Sequence, residues 1–319
     1  MKRILVTGAL GQIGSELVSA LRNKYGQDAV VASDVRVIRL EVEQAKGPFE
    51  YVDVTRARDL QDVVLRYEID TIFHLASLLS AVAEEKPNMA WDVNMGGLYR
   101  VLEVARQRGC AVFFPSSIGA FGPGTPVEQT PQDTIQRPNT IYGVTKVSGE
   151  LLCDYYHGRF GVDTRGVRYP GLISHVAPPG GGTTDYAVEI FYEAIRHGRY
   201  TCFLRPDTCL DMMYMPDALD AAIGIMEADP TCLVHRNAFN VTAMNFTPAT
   251  LAAEIQKHLP GFEIDYDVDP VRQAIADSWP DSLDDQAARD EWGWQPVYDL
   301  ETMTRDMLEK LGTRLQRRI

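Results

Sequence analysis

Glycines 8, 11 and 14 stand three residues apart, between an apolar β-branched run at residues 3–7 and an amphipathic stretch at residues 13–24. That spacing limits what the chain can fold into. Glycine permits a tight turn from strand to helix, close approach of backbone N–H groups to a pyrophosphate, and close packing of the helix on the strand. A glycine-rich turn alone is often merely structural, but here the flanking strand and helix patterns are both present. Asp34 follows Gly14 by 20 residues, at the end of the next apolar run. An acidic side chain there suits the ribose hydroxyls of NAD and repels a 2′-phosphate. Arg36, two residues on, argues for NADP instead; the reading adopted is NAD.

Strand-like runs at 29–34, 49–52, 71–75, 111–116 and 163–169 alternate with helical patterns at 60–67, 89–108 and 142–160. The alternation predicts an α/β fold, a doubly wound parallel sheet of Rossmann type with helices on both faces. Ligands on such sheets bind beyond the carboxyl ends of the strands. Residues 1–172 read as an NAD-binding domain, which a strand-to-helix segment within 210–230 rejoins. Residues 173–209 and 231–319 read as a smaller, interleaved C-terminal substrate-binding region. It begins near the turn-rich Pro178-Pro179-Gly180-Gly181-Gly182, with a helix expected at 186–196.

A net charge of -13 argues against nucleic-acid binding and against anionic membrane surfaces. No apolar stretch approaches the roughly 20 residues of a membrane span, and the first apolar run is too short for a signal peptide. Five cysteines without a C-x-x-C read as reduced thiols, and the six histidines show no metal-ligand spacing. A cytoplasmic protein without a metal site is expected. Arg314, Arg317 and Arg318 form either a small docking patch or, more simply, a solvated helix end.

The chemistry is concentrated in two segments. Phe113-Phe114-Pro115-Ser116-Ser117 reads as a buried strand ending in hydroxyls, and Tyr142-Gly143-Val144-Thr145-Lys146 opens a helix. Positions i and i+4 share a helix face, so the phenol and ammonium can point into one site. A free tyrosine has a pKa of about 10 and is a poor base near neutrality. A nearby lysine charge lowers it. Lowering it towards 7 corresponds to roughly 4 kcal/mol of differential stabilisation. With Ser117 bonded to the reacting oxygen, the trio suits proton transfer at a carbinol while a hydride leaves or arrives. Asp53-Val54 follows the third strand, where Asp53 either accepts from an adenine amino group or is a solvated turn residue. Leu75-Ala76 ends the fourth strand with room for a cofactor, and His74 reads as structural.

Together these features resemble the extended short-chain dehydrogenase/reductase family over roughly residues 1–230. Its G-x-x-G-x-x-G is Gly8, Gly11 and Gly14; its acidic residue is Asp34; its N-x-x-G is Asn94-Met95-Gly96-Gly97; its Y-x-x-x-K is Tyr142 and Lys146 after Ser116-Ser117. The resemblance implies Tyr142 as acid/base, Lys146 on the nicotinamide ribose, Ser117 as the orienting hydroxyl and Asn94 as a structural or water-holding member. It adds Gln12, Ile13, Ser116, Tyr169, Gly171 and Ile173 to the cofactor-binding set of Gly8, Gly11, Gly14, Asp34, Asp53, Val54, Leu75, Ala76, Asn94, Tyr142 and Lys146. Many extended members are sugar-nucleotide epimerases and dehydratases. Those tend to carry an arginine where this chain has Leu210, and their motif after the sixth strand is altered here to Arg168-Tyr169-Pro170-Gly171-Leu172-Ile173. A diphosphate without a basic clamp is costly to desolvate.

Residues 168–173, 179–187, 78–81 and 205–208 resemble instead the short-chain L-threonine 3-dehydrogenases. That resemblance implies NAD-dependent oxidation of the Cβ hydroxyl of L-threonine to 2-amino-3-oxobutyrate. Ser80 and Thr183 or Thr184 are candidates for the substrate carboxylate. Thr184 is preferred, with an N-cap of the helix near Tyr186 as the equal alternative. Asp185 either pairs with the ammonium or serves as a helix N-terminal carboxylate. Trp279 either closes over the substrate or packs at the surface. The rival readings are a sugar-nucleotide epimerase or dehydratase, and a non-catalytic dinucleotide-binding sensor, which would not need the Ser-Tyr-Lys trio. The family also implies a homodimer through the helices near 90–108 and 142–160, where Leu98, Val101, Leu102, Tyr155 and Tyr156 face either that bundle or the sheet.

Overall fold

The computed structural model describes residues 1–36, 46–180 and 182–316; Gly181, Arg317 and Arg318 lie outside the described residues. In chain order the strands are β1 (Ile4–Thr7), β2 (Val30–Asp34), β3 (Phe49–Tyr51), β4 (Thr71–His74), β5 (Ala111–Ser117), β6 (Thr164–Tyr169), β7 (Gly171–Ile173), β8 (Arg199–Cys202), β9 (Leu210–Tyr214), β10 (Phe239–Asn240), β11 (Met244–Phe246) and β12 (Glu263–Tyr266). A seven-stranded parallel sheet runs β10-β6-β5-β4-β1-β2-β3. The strand order reverses between β1 and β4, which opens a crevice at their carboxyl ends.

The continuous apolar runs follow from burial on both faces. Ile4 and Val6 pack with Leu17 and Leu21 of helix Gln12–Tyr25 and with Ala218, Ala222 and Ile225 of helix Met215–Glu227. Leu5 points to the other face, with Val63, Leu98, Val101, Leu102 and Tyr156. Leu98, Val101 and Leu102 therefore face the sheet, whereas Tyr155 is exposed. A further core joins Tyr186, Phe191, Leu210, Met212, Leu251, Ile255, Met303 and Met307. Among the described residues no helix is long and apolar enough to cross a membrane.

Three features depart from a plain reading of the pattern. The two-residue β10 joins the large sheet beside β6. Strand β9 pairs with β7 and β11 in a separate three-stranded sheet, although the helix after it returns to the large one. The expected helix at 89–108 starts at Pro87 and is π-wound over Trp91–Gly96 before continuing as Gly97–Arg108. The wider turn carries the Asn94 amide inward. Its Oδ1 accepts from Leu78 N at 2.8 Å, and its Nδ2 donates to Thr145 Oγ1 at 3.1 Å. Asn94 thus ties the chain after β4 to the helix of Tyr142 and Lys146. Such wide turns recur at functional sites.

The segment 276–285, which carries Trp279, is stitched to the loop after β5. Thr130 N donates to Ser282 O at 3.0 Å and Asp284 N to Thr130 O at 3.0 Å. Leu283 N donates to Oδ2 of the buried Asp211 at 2.9 Å, and Thr242 Oγ1 to its Oδ1 at 2.6 Å. Burial pushes the Asp211 carboxyl up to about 8, against the bonds from Thr242 and Leu283.

Candidate active site

A cleft of about 1300 Å³ opens at the carboxyl ends of β1, β2, β4 and β5. Its cofactor-like end begins at the glycine turn. Gly8 has φ +69°, and a Cβ on it would sit 2.7 Å from Ala76 N. A Cβ on Gly14 would sit 2.3 Å from Gly8 O. The bare backbone therefore forms a cradle that side chains would fill. Gln12, Ile13, Leu75 and Ala76 line the cleft beside it, as do Asp53 and Val54.

Asp34 stands at the end of β2. Its Oδ2 accepts from Leu10 N at 3.0 Å, and Arg36 Nε donates to its Oδ1 at 2.9 Å. Burial opposes its charge, but the bonds from Arg36 and Leu10 prevail and hold the carboxyl below its ordinary value. The result is an anionic acceptor at the place a ribose needs one. The glycine cradle and this carboxylate fit an NAD adenosine diphosphate.

The helix Ile141–Phe160 is started by Thr140, whose Oγ1 accepts from Gly143 N at 3.0 Å. This cap sets Tyr142 in the first turn and Lys146 one turn later, both facing β5 and both buried. Ser117 Oγ accepts from Gly119 N at 3.1 Å and stands beside the Tyr142 phenol, favouring its ionised form. Lys146 Nζ donates to Pro115 O at 2.7 Å and lies 5.3 Å from the Tyr142 ring centroid.

The titration differs from expectation. Burial pushes the Tyr142 phenol up to about 12, against the bond from Ser117. Burial likewise pushes Lys146 down to about 8, against the attraction of Glu150. Each group is desolvated, and the ammonium bonds a carbonyl rather than the phenol. Without further charge in the cleft, Tyr142 stays protonated. His74 is pushed down to about 3, first by burial and then by Lys146, and its Nδ1 pairs with Thr7 Oγ1 at 2.9 Å. It is a neutral, satisfied side chain.

Ser80, Ser117, Tyr142, Thr184, Asp185 and Trp279 converge on the other end of the same cleft. Thr184 lies in the single turn Thr183–Asp185 before helix Tyr186–His197. Asp185 Oδ2 accepts from Gly180 N and Gly182 N at 2.7 Å each, bracing the loop behind Thr184. Tyr169 and Gly171 line the cleft too, and the Tyr169 hydroxyl donates to Ala218 O at 2.6 Å. Ser116 lines it, but its Oγ donates to Glu150. Two expected residues are elsewhere: Asn94 serves the stitching described above, and Ile173 is fully buried in the core of Tyr186, Leu210 and Met303. Its neighbour Leu172 lines the cleft instead and accepts from Gln12 Nε2 at 3.4 Å.

Sequence reasoning missed Ser77, Met89 and Arg314, which also line the cleft. Arg314 comes from helix Leu300–Gln316 and donates to His175 O at 2.8 Å and Val176 O at 2.5 Å. No local pattern marks a helix-end arginine as cleft-lining. Among the described residues no cluster of three or more His, Cys, Asp or Glu is placed to hold a metal.

A family model described as the NAD dependent epimerase/dehydratase family matches residues 4–242. A protein of Staphylococcus haemolyticus (strain JCSC1435), described as an uncharacterized epimerase/dehydratase, is 58% identical over 316 residues, or 99% of both chains. The X-ray structure of L-threonine dehydrogenase from Clostridium difficile is 59% identical, with a TM-score of 0.97 over 98% of both chains. A GalE-like L-threonine dehydrogenase from Cupriavidus necator, in its holo form, is 51% identical, with a TM-score of 0.94 over 97% of this chain and 99% of that one.

Proposed function

The chain belongs to the NAD dependent epimerase/dehydratase family, and from that premise we propose that it oxidises L-threonine at the Cβ hydroxyl to 2-amino-3-oxobutyrate, with NAD as oxidant. The observation that carries this reading is the single cleft in which Ser117, Tyr142 and Lys146 meet Ser80, Thr184 and Trp279. Its similarity to two L-threonine dehydrogenases over nearly the whole chain supports it. So does Leu210, which lies fully buried among Tyr186, Met212 and Leu251 where a sugar-nucleotide enzyme would want a basic clamp.

The Gly8–Gly11–Gly14 turn would hold the pyrophosphate and Asp34 the adenosine ribose, with Arg36 yielding or sharing that carboxylate. NAD, when bound, supplies the hydride acceptor and a cationic ring. Tyr142 takes the proton of the substrate hydroxyl. Ser117 Oγ holds the substrate oxygen beside the phenol. Lys146 spends one N–H on Pro115 O and offers the others to the nicotinamide ribose. Because burial alone keeps the phenol protonated, its ionisation depends on positive charge gathered around it. Ser80 and Thr184 take the threonine carboxylate. Asp185 braces the loop that presents Thr184, and Trp279 closes the small end against larger substrates.

The test is NADH absorbance on mixing the protein with NAD and a panel of threonine, serine and 3-hydroxy acids. Threonine is expected to give the strongest signal. Absence of any threonine-dependent signal overturns the reading.

The same reading includes a homodimer. Tyr99, Leu151 and Tyr155 are 51%, 63% and 55% exposed on helices Gly97–Arg108 and Ile141–Phe160. Such an apolar patch fits a second copy of the same face. Leu151→Glu is expected to weaken dimerisation at least about 100-fold, or ~3 kcal/mol, in sedimentation equilibrium. A wild-type chain that sediments as a monomer rules the dimer out.

A further inference from the structure

Helix Ile141–Phe160 carries a third inward residue on the face of Tyr142 and Lys146. Glu150 lies one further turn along and is only 4% exposed. Its carboxylate is fully engaged. Oε1 accepts from Ser116 Oγ. Oε2 accepts from Gln136 Nε2 at 2.9 Å and from Arg168 Nη2 at 3.0 Å, and Arg168 Nε reaches both oxygens at 3.2 and 3.3 Å. Arg168 is itself held by Gln132 O at 2.8 Å and Asn240 Oδ1 at 3.0 Å. The network is buried and lies behind the reacting groups.

Two consecutive residues of β5 are thereby pinned to the helix. Pro115 O receives the Lys146 ammonium, and Ser116 Oγ donates to Glu150. The next residue is Ser117. The distance from Ser117 to Tyr142 is thus set by a two-point clamp. The same carboxylate is the anion that attracts Lys146.

We propose that Glu150, backed by Arg168, is a positioning residue that keeps Lys146 charged inside the cleft and fixes Ser117 against Tyr142. The inference rests on the dehydrogenase reading for its kinetic consequence but not for its electrostatic one. Among the described residues, the charged or titratable groups that face Lys146 are Tyr142 and Glu150 on its own helix and His74 of β4, while Arg168 of β6 pairs with Glu150. Asp154 and Cys153, on the next turn, face Glu150. His74 is neutral. Glu150 is therefore the anion facing Lys146, and removing its charge leaves Arg168 without its counter-ion.

The sign of the effect follows. In Glu150→Gln, Lys146 loses its proton at lower pH, so the alkaline limb of the kcat profile moves down by about one unit or more. At the acid limb Lys146 is protonated in either protein, so that limb does not move up. The bell narrows from its alkaline side. Ser116→Ala removes only the clamp, so turnover falls while both limbs stay in place. Glu150→Asp keeps the charge and is expected to restore the alkaline limb. An unpaired Arg168 can unfold the single variant, so Glu150→Gln with Arg168→Gln is measured alongside it, with the limb shift expected in the same direction.

A readout independent of substrate separates this inference from the dehydrogenase reading. In protein labelled with 13C at the lysine Cε, the Lys146 signal is assigned by its loss in Lys146→Met. Its titration is expected to move down by about one pH unit in the Glu150 variants. Coincident titrations in the wild-type and a folded Glu150→Gln protein overturn the proposal, whatever the substrate proves to be. A fall in kcat without movement of the alkaline limb reduces Glu150 to a purely structural role and overturns it equally.

Discussion

Tyr142→Phe is expected to lower threonine-dependent NADH production by about 10³-fold while NAD affinity changes little. The phenyl ring keeps the packing and the flank of Lys146; only the hydroxyl that meets Ser117 is removed. The pH dependence gives a second signature. Burial pushes Tyr142 up to about 12, so burial alone leaves the phenolate scarce at neutral pH. The wild-type rate is expected to rise with pH up to the lower apparent value set by the loaded cleft. In the phenylalanine variant that rise disappears. Unchanged turnover, or an unchanged slope, removes Tyr142 from the mechanism.

Gly14→Ala is the second large effect. The new Cβ would sit 2.3 Å from Gly8 O and 2.8 Å from Ala9 Cα. Both are backbone atoms of the turn itself, so neither can move aside without opening the cradle. NAD affinity is expected to fall at least about 100-fold, equivalent to ~3 kcal/mol, and the melting temperature to drop by several degrees. Gly124→Ala is the control, because a Cβ there meets nothing within 4 Å. Calorimetric titration with NAD reads the difference. Equal affinity in the two variants refutes the cradle.

Much of the sheet was legible because its strands are buried on both faces. Residues such as Ile4, Leu5 and Val6 then read as unbroken apolar runs. The Tyr142–Lys146 pair was legible because helix spacing converts four residues into one face. Strand β10 was not, since Phe239–Asn240 is too short to carry a pattern. The pairing of β9 was not either, because a strand's composition does not name its neighbour. Thr184 was preferred on resemblance, and no periodicity links Ser80 at a helix start, Thr184 in a loop and the distant Trp279. The burial that raises Tyr142 was not legible for a related reason. Spacing shows that a lysine is near, but only the packed chain shows that both groups are desolvated and that Lys146 bonds Pro115 O.

The short β10 also bears on how the protein can be made. It covers the flank of β6 with residues that follow helix Met215–Glu227. During synthesis, then, the dinucleotide half waits with one border uncovered until residue 240 has left the ribosome. Bare parallel borders recruit other chains. A gene cut after β6 therefore yields a self-associating fragment rather than a tidy cofactor module, and any split or reporter insertion belongs beyond that strand.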